Sequence, residues 1–273
     1  MLTVISLRRA LVAATLIPTL AALAPIARAA APEGATRPAA DPAEALIQAG
    51  FDHGDAAQIL KVRGDLLGRL AAEPKSASLH YWVAVAAWRA VPLLGRSDKI
   101  AARRICEEGL THCEAAFEAD PRMAEALALE AGLQGLSIQF AGGSGMSLGP
   151  QMASTMGRAV GMAPDDPRIQ LLDGINTLHT PSFFGGGAEK ALRKLNRALE
   201  LFAQQPSDSA SAGWGHDDAH AWAGRAEAKR KRFAAAREHY LQALALNPAN
   251  GWVRTTLLPE AEQALAKKGA AGS

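Results

Sequence analysis

Residues 217–248 have the sequence DDAHAWAGRAEAKRKRFAAAREHYLQALALNP, which predicts two short helices joined by a tight turn. In the first helix, Ala223 and Gly224 form a small pair where a second helix can approach closely. In the second helix, Ala236, Tyr240 and Ala243 stand at positions i, i+4 and i+7, so they share one helical face. Pro248 ends the pattern, because the residue before a proline avoids the α-helical region.

The same ending recurs upstream and indicates an internal repeat. Prolines follow Ala-rich amphipathic segments along most of the chain: Pro74, Pro121, Pro164, Pro206 and Pro248. Three of these endings, AAFEADP, AVGMAP and ALALNP, place an alanine five residues before the proline. A single helical pair cannot bury its apolar stripe, so repeated pairs stack and share a core. The repeat therefore predicts one solenoid over residues 43–268.

This spacing resembles the tetratricopeptide repeat (TPR), a helix–turn–helix unit of about 34 residues. His220 stands where that pattern often has Trp. The resemblance implies an all-α fold, a right-handed α-solenoid of about four TPR-like helix pairs with a C-terminal capping helix. We predict helices over residues 55–72, 77–90, 99–119, 122–139, 151–162, 168–178, 188–202, 218–229, 232–246 and 252–267. Helix 55–72 is the second helix of an incomplete first pair. The predicted core residues are Trp82, Trp88, Leu127, Leu171, Leu195, Tyr240 and Leu244.

The N-terminal 29 residues have the pattern of a signal peptide. Arg8 and Arg9 precede an apolar run, and Ala27-Arg28-Ala29 is typical of a cleavage site. Prolines interrupt the run before it reaches the roughly 20 apolar residues of a membrane span. We therefore expect a periplasmic protein with no integral membrane segment in its mature form. Residues 30–42 are Ala- and Pro-rich and are predicted to be a mobile linker, and residues 269–273 a flexible tail.

Composition excludes few functions but gives no support to nucleic-acid binding, because the formal net charge of the 273 residues is only +2. Cys106 and Cys113 are the two cysteines. Seven residues along a helix rise about 10.5 Å, whereas a disulfide needs Cα atoms within about 7 Å. We therefore predict that both thiols are free and buried.

Three connections inside the helical pairs are longer than the turn at residues 229–232. They contain PLLGRS after Ala90, AGGSGMSLG after Gln139 and TPSFFGGG after His179. Equivalent loops of a solenoid fall on one edge, and insertions there often form the binding face. The alternative is that their apolar side chains fold back over the helix ends. The candidate partner-binding residues are Leu93, Leu94, Met146, Leu148, Phe183, Phe184, Gly185 and Gly186, together with Arg225.

The run PSFFGGGAEKALRKLNRAL is also similar to a run found in exported bacterial TPR proteins, among them the periplasmic T-component of TRAP transporters. Both resemblances imply a protein without catalytic activity. The sequence therefore predicts a scaffold that binds a protein or peptide partner. The alternative is a periplasmic accessory component of a solute transporter that holds a small ligand. An open, shallow groove would favour the first function, and a closed apolar pocket would favour the second.

Two further motifs suggest chemistry but are incomplete. His216 and His220 have a spacing that can hold a metal, yet no further ligands stand near them in the sequence. Asp217 and Asp218 between them are typical of a helix N-cap and first turn. The glycines at 142–145 lack the Gly-Lys-Ser/Thr ending of a phosphate-binding loop. We accordingly predict no metal, no cofactor and no catalytic residues, and the sequence leaves the oligomeric state open.

Overall fold

A computed structural model describes residues 34–140, 145–205 and 213–270, apart from the side chains of Gly145, Met146, Gly269 and Ala270. The predicted signal peptide at residues 1–29 lies outside this part of the chain. The helices are α1 (Ala43–Asp52), α2 (Ala56–Ala72), α3 (Ala77–Leu94), α4 (Lys99–Ala119), α5 (Ala124–Ser137), α6 (Gly145–Met162), α7 (Pro167–His179), α8 (Ala188–Phe202), α9 (His216–Lys229), α10 (Phe233–Leu246) and α11 (Leu258–Ala270).

The helices pack as successive antiparallel pairs, which confirms the predicted α-solenoid. The first pair is complete, because α1 precedes α2; the prediction of an incomplete pair missed this short helix. A π-helical turn, Val253–Leu257, leads into α11, which packs on α10 as a cap. Within the described residues, none of the helices combines the length and apolar character that a bilayer crossing requires.

Two of the three enlarged connections are shorter than predicted. Helix α3 continues through Pro92 to Leu94, and α6 begins at Gly145 with Pro150 inside it. Each proline removes one backbone donor from its helix, which the surrounding packing tolerates. The connection after α3 therefore begins later than Pro92 suggests, and the connection before α6 ends earlier than the glycines and Pro150 suggest.

The repeat at residues 217–248 has the predicted geometry. The turn between α9 and α10 is short, and Lys231 in it adopts a left-handed φ of 61°. A Cβ atom at Gly224 would lie 2.3 Å from Tyr240 Cε1, so this position requires glycine. Most of the predicted core is buried, including Trp82, Trp88 and Tyr240; Leu244 is only half-buried.

Three of the first helices, α3, α5 and α7, are buried on nearly all sides, whereas an amphipathic helix buries one stripe. The inner face of the solenoid, which these helices build, is covered by the chain itself. Trp214, in the connection before α9, packs against Trp88 with ring centroids 5.4 Å apart. The guanidinium of Arg89 lies 4.4 Å from the ring of Phe51 in α1. The inner face is therefore part of the core.

Polar contacts between distant helices close the solenoid. Arg89 of α3 donates two hydrogen bonds to Asp218 of α9, and both side chains are almost fully buried. Asn247, at the end of α10, donates to Asp52 at the end of α1 at 3.0 Å. Gly215 is the N-cap of α9, so the prediction of an aspartate N-cap was wrong. Asp217 and Asp218 do lie in the first turn of α9, but they also connect it to other elements.

The segment before α1 makes specific contacts along its described part, residues 34–42. Thr36 donates a backbone hydrogen bond to Arg122 O at 3.0 Å, and Trp82 Nε1 donates to Ala39 O at 3.0 Å. Hydrogen bonds to the main chain of this segment therefore place it on the helices.

Both cysteines are free and buried on α4, as predicted. Burial raises the pKa of the Cys106 thiol to about 12 and that of Cys113 well above its usual value. Because the thiolate is the reactive form, we expect very slow labelling by a thiol reagent in the native protein. Unfolding without reductant should release two reactive thiols per chain. A deficit of thiols that reductant restores would reveal a disulfide and would contradict the placement of both residues on one helix.

Candidate interaction surface

The connections inside three consecutive pairs lie along one edge of the solenoid, at the C-terminal ends of α3, α5 and α7. A Cβ atom at Gly95, after α3, would lie 3.8 Å from Gln139 Oε1, after α5, so neighbouring connections are close together. We call residues 93–100, 138–140 and 180–187 the loop edge. It is the surface on which the sequence places most of the candidate binding residues.

The connection after α7 is a well-bonded turn. Its 3₁₀ segment, Ser182–Phe184, is closed by a hydrogen bond from the Phe184 N–H to Pro181 O at 3.0 Å. The Gly187 N–H donates to Thr177 O at 3.0 Å and fixes the turn to α7. The turn therefore holds its side chains in a defined position.

The glycine run in this turn has a steric cause. Gly185 and Gly187 have φ angles of 90° and 110°, in the left-handed region that favours glycine. A Cβ atom at Gly186 would lie only 2.1 Å from Thr180 O. These three glycines consequently position the turn rather than contact a partner through side chains.

The turn presents two aromatic rings to solvent. Phe183 is 79% exposed and Phe184 is 70% exposed, and their ring centroids are 4.1 Å apart. Here the folded-back alternative is wrong, because neither ring covers a helix end. An exposed pair of phenylalanines is unusual on a soluble domain and typical of an interaction surface.

Two exposed isoleucines on the loop edge escaped the sequence analysis. Ile100, in the first turn of α4, is 85% exposed, and Ile138, after α5, is 37% exposed. Of the seven large hydrophobic side chains that are exposed in the described part of the chain, four lie on this edge. The signal for Ile100 was available, because it falls out of phase with the buried face of α4, which contains Ala102, Ile105 and Cys106.

The three predicted binding leucines, Leu93, Leu94 and Leu148, fold back toward the helices instead. Leu94 is buried, and Leu93 is half-buried against the core. Leu148 is half-buried in α6, while the side chain of Met146 lies outside the described part. These leucines secure the helix ends, so the apolar surface of the edge consists of Ile100, Ile138 and the two phenylalanines.

A cleft of about 310 Å³ opens beside the aromatic turn. It exists because α6 packs on α7 much less closely than the second helices of the neighbouring pairs pack on the helices that follow them. Met152, Met156 and Val160 of α6 give it an apolar lining, to which Phe184 of the turn also contributes. Methionine side chains adapt readily to the shape of an apolar ligand.

The floor of the cleft is polar. Lys194 Nζ donates to Asp173 Oδ1 at 2.7 Å and to Thr177 Oγ1 at 3.0 Å, so these charges neutralise each other. Asn176 is 8% exposed, and its Nδ2 atom has no hydrogen-bond partner within the described residues. A buried amide donor of this kind gains from a carbonyl acceptor supplied by a ligand.

Arg225 belongs to a separate aromatic cluster next to the loop edge. Its guanidinium lies 4.8 Å from the Trp222 ring centroid and 5.4 Å from that of Trp252. Trp222 also contacts His179, the last residue of α7, at a centroid distance of 5.5 Å. The half-buried guanidinium is thus already engaged by two indole rings, and burial lowers its pKa.

The two histidines with metal-ligand spacing form a stacked row instead. His216 stacks on Phe202 and on His220, and His220 Nδ1 lies 3.2 Å from His239 Nδ1. Burial, with the neighbouring histidines, lowers the pKa of His220 to about 4. Across the described residues, no group of three or more His, Cys, Asp or Glu side chains has a geometry that could hold a metal ion.

A second cavity, of about 410 Å³, lies beside α1. Glu44, Asp217 and Trp214 line it. Glu44 accepts a hydrogen bond from Gly213 N at 2.7 Å, and Asp217 accepts one from Asn247 at 2.9 Å. These carboxylates are satisfied by neutral donors of the chain itself, so the cavity is part of the closure between α1 and α9.

No family model matches the chain, and no curated protein matches it. Solved structures do resemble it. TTC0263, a thermophilic TPR protein of Thermus thermophilus, is 16% identical with a TM-score of 0.57, over 82% of this chain and 99% of that chain. The HusA haemophore of Porphyromonas gingivalis is 20% identical with a TM-score of 0.53, and the match covers 68% of this chain and 92% of HusA. The chain thus shares its helical fold with both proteins, of which TTC0263 is the one named as a TPR protein. Since a fold does not determine function, the function has to be argued from the surface.

Proposed function

We propose that the protein is a non-catalytic scaffold that binds a protein partner through the loop edge. The observation that carries this proposal is the concentration of exposed apolar side chains on one edge: Ile100, Ile138, Phe183 and Phe184. Exposed apolar surface costs free energy in water, and a partner that covers it recovers that free energy. Aromatic side chains are also enriched among the residues that dominate binding at protein interfaces.

The cleft beside Phe184 adds specificity to this edge. An apolar side chain of the partner can enter between Met152, Met156 and Phe184, while a backbone carbonyl accepts a hydrogen bond from Asn176. An extended peptide segment offers both groups together. The inner face cannot serve as the peptide groove, because Trp214 and α1 already cover it.

We further propose that the protein acts in the periplasm. Support comes from the N-terminal pattern of Arg8-Arg9, an apolar run and Ala27-Arg28-Ala29. Fusion of residues 1–29 to a reporter that is active only after export provides the test. Retention of the fusion in the cytoplasm would contradict the assignment.

The loop-edge proposal predicts that replacing Ile100, Ile138, Phe183 and Phe184 together with serine abolishes partner capture. Each of these side chains contributes up to about 1.5–3 kcal/mol when a partner buries it fully. Loss of the set should therefore weaken binding by at least about a hundredfold. Affinity capture from a periplasmic extract, followed by titration of the captured protein against both variants, measures this change.

A matched control is available on α10. Leu241 and Leu246 are 39% and 49% exposed, but they lie away from the loop edge. Their joint replacement with serine should leave capture unchanged, and both variants should melt within about 2 °C of the unmodified chain. Equal capture by the edge variant and the control would reject the loop edge as the binding surface.

A second candidate is binding of a small apolar ligand in the cleft, as an accessory component of a solute transporter would require. The volume of about 310 Å³ favours it, because it reaches the lower range of small-molecule pockets. One similar structure is named as a haemophore, so haem is a suitable first probe. Saturable haem binding that Met156→Lys abolishes, without capture of any protein, would favour this candidate over the scaffold.

A further inference from the structure

The extended residues 34–42, here called the N-terminal strap, lie across the solenoid like a bound peptide. Two of their hydrogen bonds involve the strap's main chain. The Thr36 N–H donates to Arg122 O, and Ala39 O accepts from Trp82 Nε1, both at 3.0 Å. Such contacts do not depend on the side chains of the strap, so another extended segment can make them.

Three side chains of the strap add specific contacts. Thr36 Oγ1 donates to Asp120 Oδ2 at 2.5 Å. Arg37 Nε lies 3.3 Å from Asp166 Oδ2. Asp41 accepts two hydrogen bonds from the guanidinium of Arg69, at 2.9 and 2.7 Å. The strap thus presents a hydroxyl, a guanidinium and a carboxylate in a fixed order along an extended chain.

The groups that hold the strap come from one edge of the solenoid, opposite to the loop edge. Asp120 lies in the turn from α4 to α5, and Asp166 is the N-cap of α7. Arg69 lies in the last turn of α2, and Trp82 in the first half of α3. Consecutive pairs therefore each supply contacts to one strap, which is the geometry of a linear peptide-binding surface.

The strap is weakly held compared with the helices. Pro38 is its one buried apolar side chain. Each of its two ion pairs is open to solvent on the arginine side, since Arg37 and Arg69 are 40% and 50% exposed, whereas Asp166 and Asp41 are 5% and 8% exposed. Solvent screens ion pairs of this kind more than fully buried ones. Segments with few buried apolar contacts open locally without global unfolding. The strap can therefore leave its surface while the solenoid remains folded.

We propose that the surface beneath the strap is a second binding site, which accepts an extended segment of a partner protein in exchange for the strap. The preferred segment carries Ser or Thr followed by Arg-Pro, with a carboxylate four residues after the Arg, as in the strap itself. The Arg pairs with Asp166, the hydroxyl donates to Asp120, and the carboxylate accepts from Arg69. This inference is independent of the loop edge, because the two surfaces share no residue.

The tether of the strap sets the conditions for exchange. A segment joined by a short connection competes at an effective concentration in the millimolar range. A partner segment therefore binds only when it is itself tethered by a second contact or when the strap is weakened. The strap thus acts as a competing ligand within the chain.

The test uses a fluorescein-labelled peptide of residues 34–42, GATRPAADP, and the full chain. The variant Thr36→Ala/Arg37→Glu weakens the strap and leaves its receiving surface intact. We expect this variant to bind the peptide at least tenfold more tightly than the unmodified chain does, measured by fluorescence anisotropy. Adding Trp82→Phe and Asp166→Asn should reverse the gain by roughly tenfold. Asparagine retains the capping function at position 166.

A peptide with Arg37→Glu should not bind the strap-weakened variant, and equal binding of both peptides would overturn the proposal. In the unmodified chain, the Thr36 amide should exchange with deuterium much faster than the amides of α3 and α5. If the Thr36 amide exchanges only when the whole protein unfolds, the strap is a permanent part of the fold, and the proposal would be overturned. If two copies of the chain instead form a dimer by exchanging their straps, the site accepts a second copy of this chain, and the proposal of a different partner protein would be overturned.

Discussion

Replacing Asp218 with alanine is expected to lower the free energy of unfolding by about 3–5 kcal/mol. The carboxylate is 1% exposed and accepts hydrogen bonds from Arg89 of α3, which is 2% exposed. Without it, the guanidinium is left buried next to Phe51 and Trp88 with no ion-pair partner. Gln48 still accepts one hydrogen bond from it, and the carboxylates of Asp52 and Asp217 act on it without an ion-pair contact. A buried charge that has lost its partner is more costly than the loss of the ion pair itself.

Urea denaturation of the single and double variants measures this effect. Asp218→Ala alone should show the full loss, whereas Arg89→Met with Asp218→Leu should recover most of it, because neither charge remains. A suitable control is Glu189→Ala, since Glu189 forms an exposed pair with Arg193 one turn away on α8. That change should cost less than about 0.5 kcal/mol. A similar loss for Asp218→Ala and the control would mean that the buried pair does not close the solenoid.

Replacing Trp214 with alanine should be comparably destabilising, by about 3–5 kcal/mol. The indole is 7% exposed and fills the inner face against Trp88. Its Nε1 donates to Tyr81 Oη at 3.2 Å, and Tyr81 in turn donates to Glu125 at 2.9 Å. Alanine would leave a cavity and would also deprive this buried chain of hydrogen bonds of its first donor.

Two other tryptophans serve as internal controls for this prediction. Trp222 and Trp252 are half-buried and contact each other and Arg225 near the C-terminal end. Their replacement with alanine should cost clearly less, because less apolar surface is lost and no enclosed cavity forms. Thermal melting of the three variants side by side decides the order. A larger loss at Trp222 than at Trp214 would contradict the assignment of Trp214 to the interior.

Local pattern was sufficient to predict the helices and their pairing, because helix periodicity and proline stops are properties of neighbouring residues. The missed helix α1 is only ten residues long and follows an Ala- and Pro-rich segment. The loop edge was predicted from loop length alone. Which of its apolar residues are exposed depends on packing, so Leu94 became core while Phe183 remained in solvent.

The residues that connect distant helices, Arg89, Asp218 and Trp214, could not be predicted in this way. Asp218 has the position of an ordinary first-turn carboxylate in the sequence, and its partner Arg89 is 129 residues away. Trp214 stands in a connection, where a single apolar residue carries little information. Their roles arise only when the curvature of the stack brings α3 and α9 together.

The amino-acid sequence was enough to predict the all-α solenoid, the register of the clearest repeat at residues 217–248 and the free thiols of Cys106 and Cys113. These follow from spacing within one or two helices. Three features depend on the three-dimensional packing: the filled inner face, the position of the strap on the edge opposite to the loop edge, and the exposure of Phe183 and Phe184. Each of these depends on the path of the whole chain, because small rotations between pairs accumulate along a solenoid and determine which distant surfaces meet.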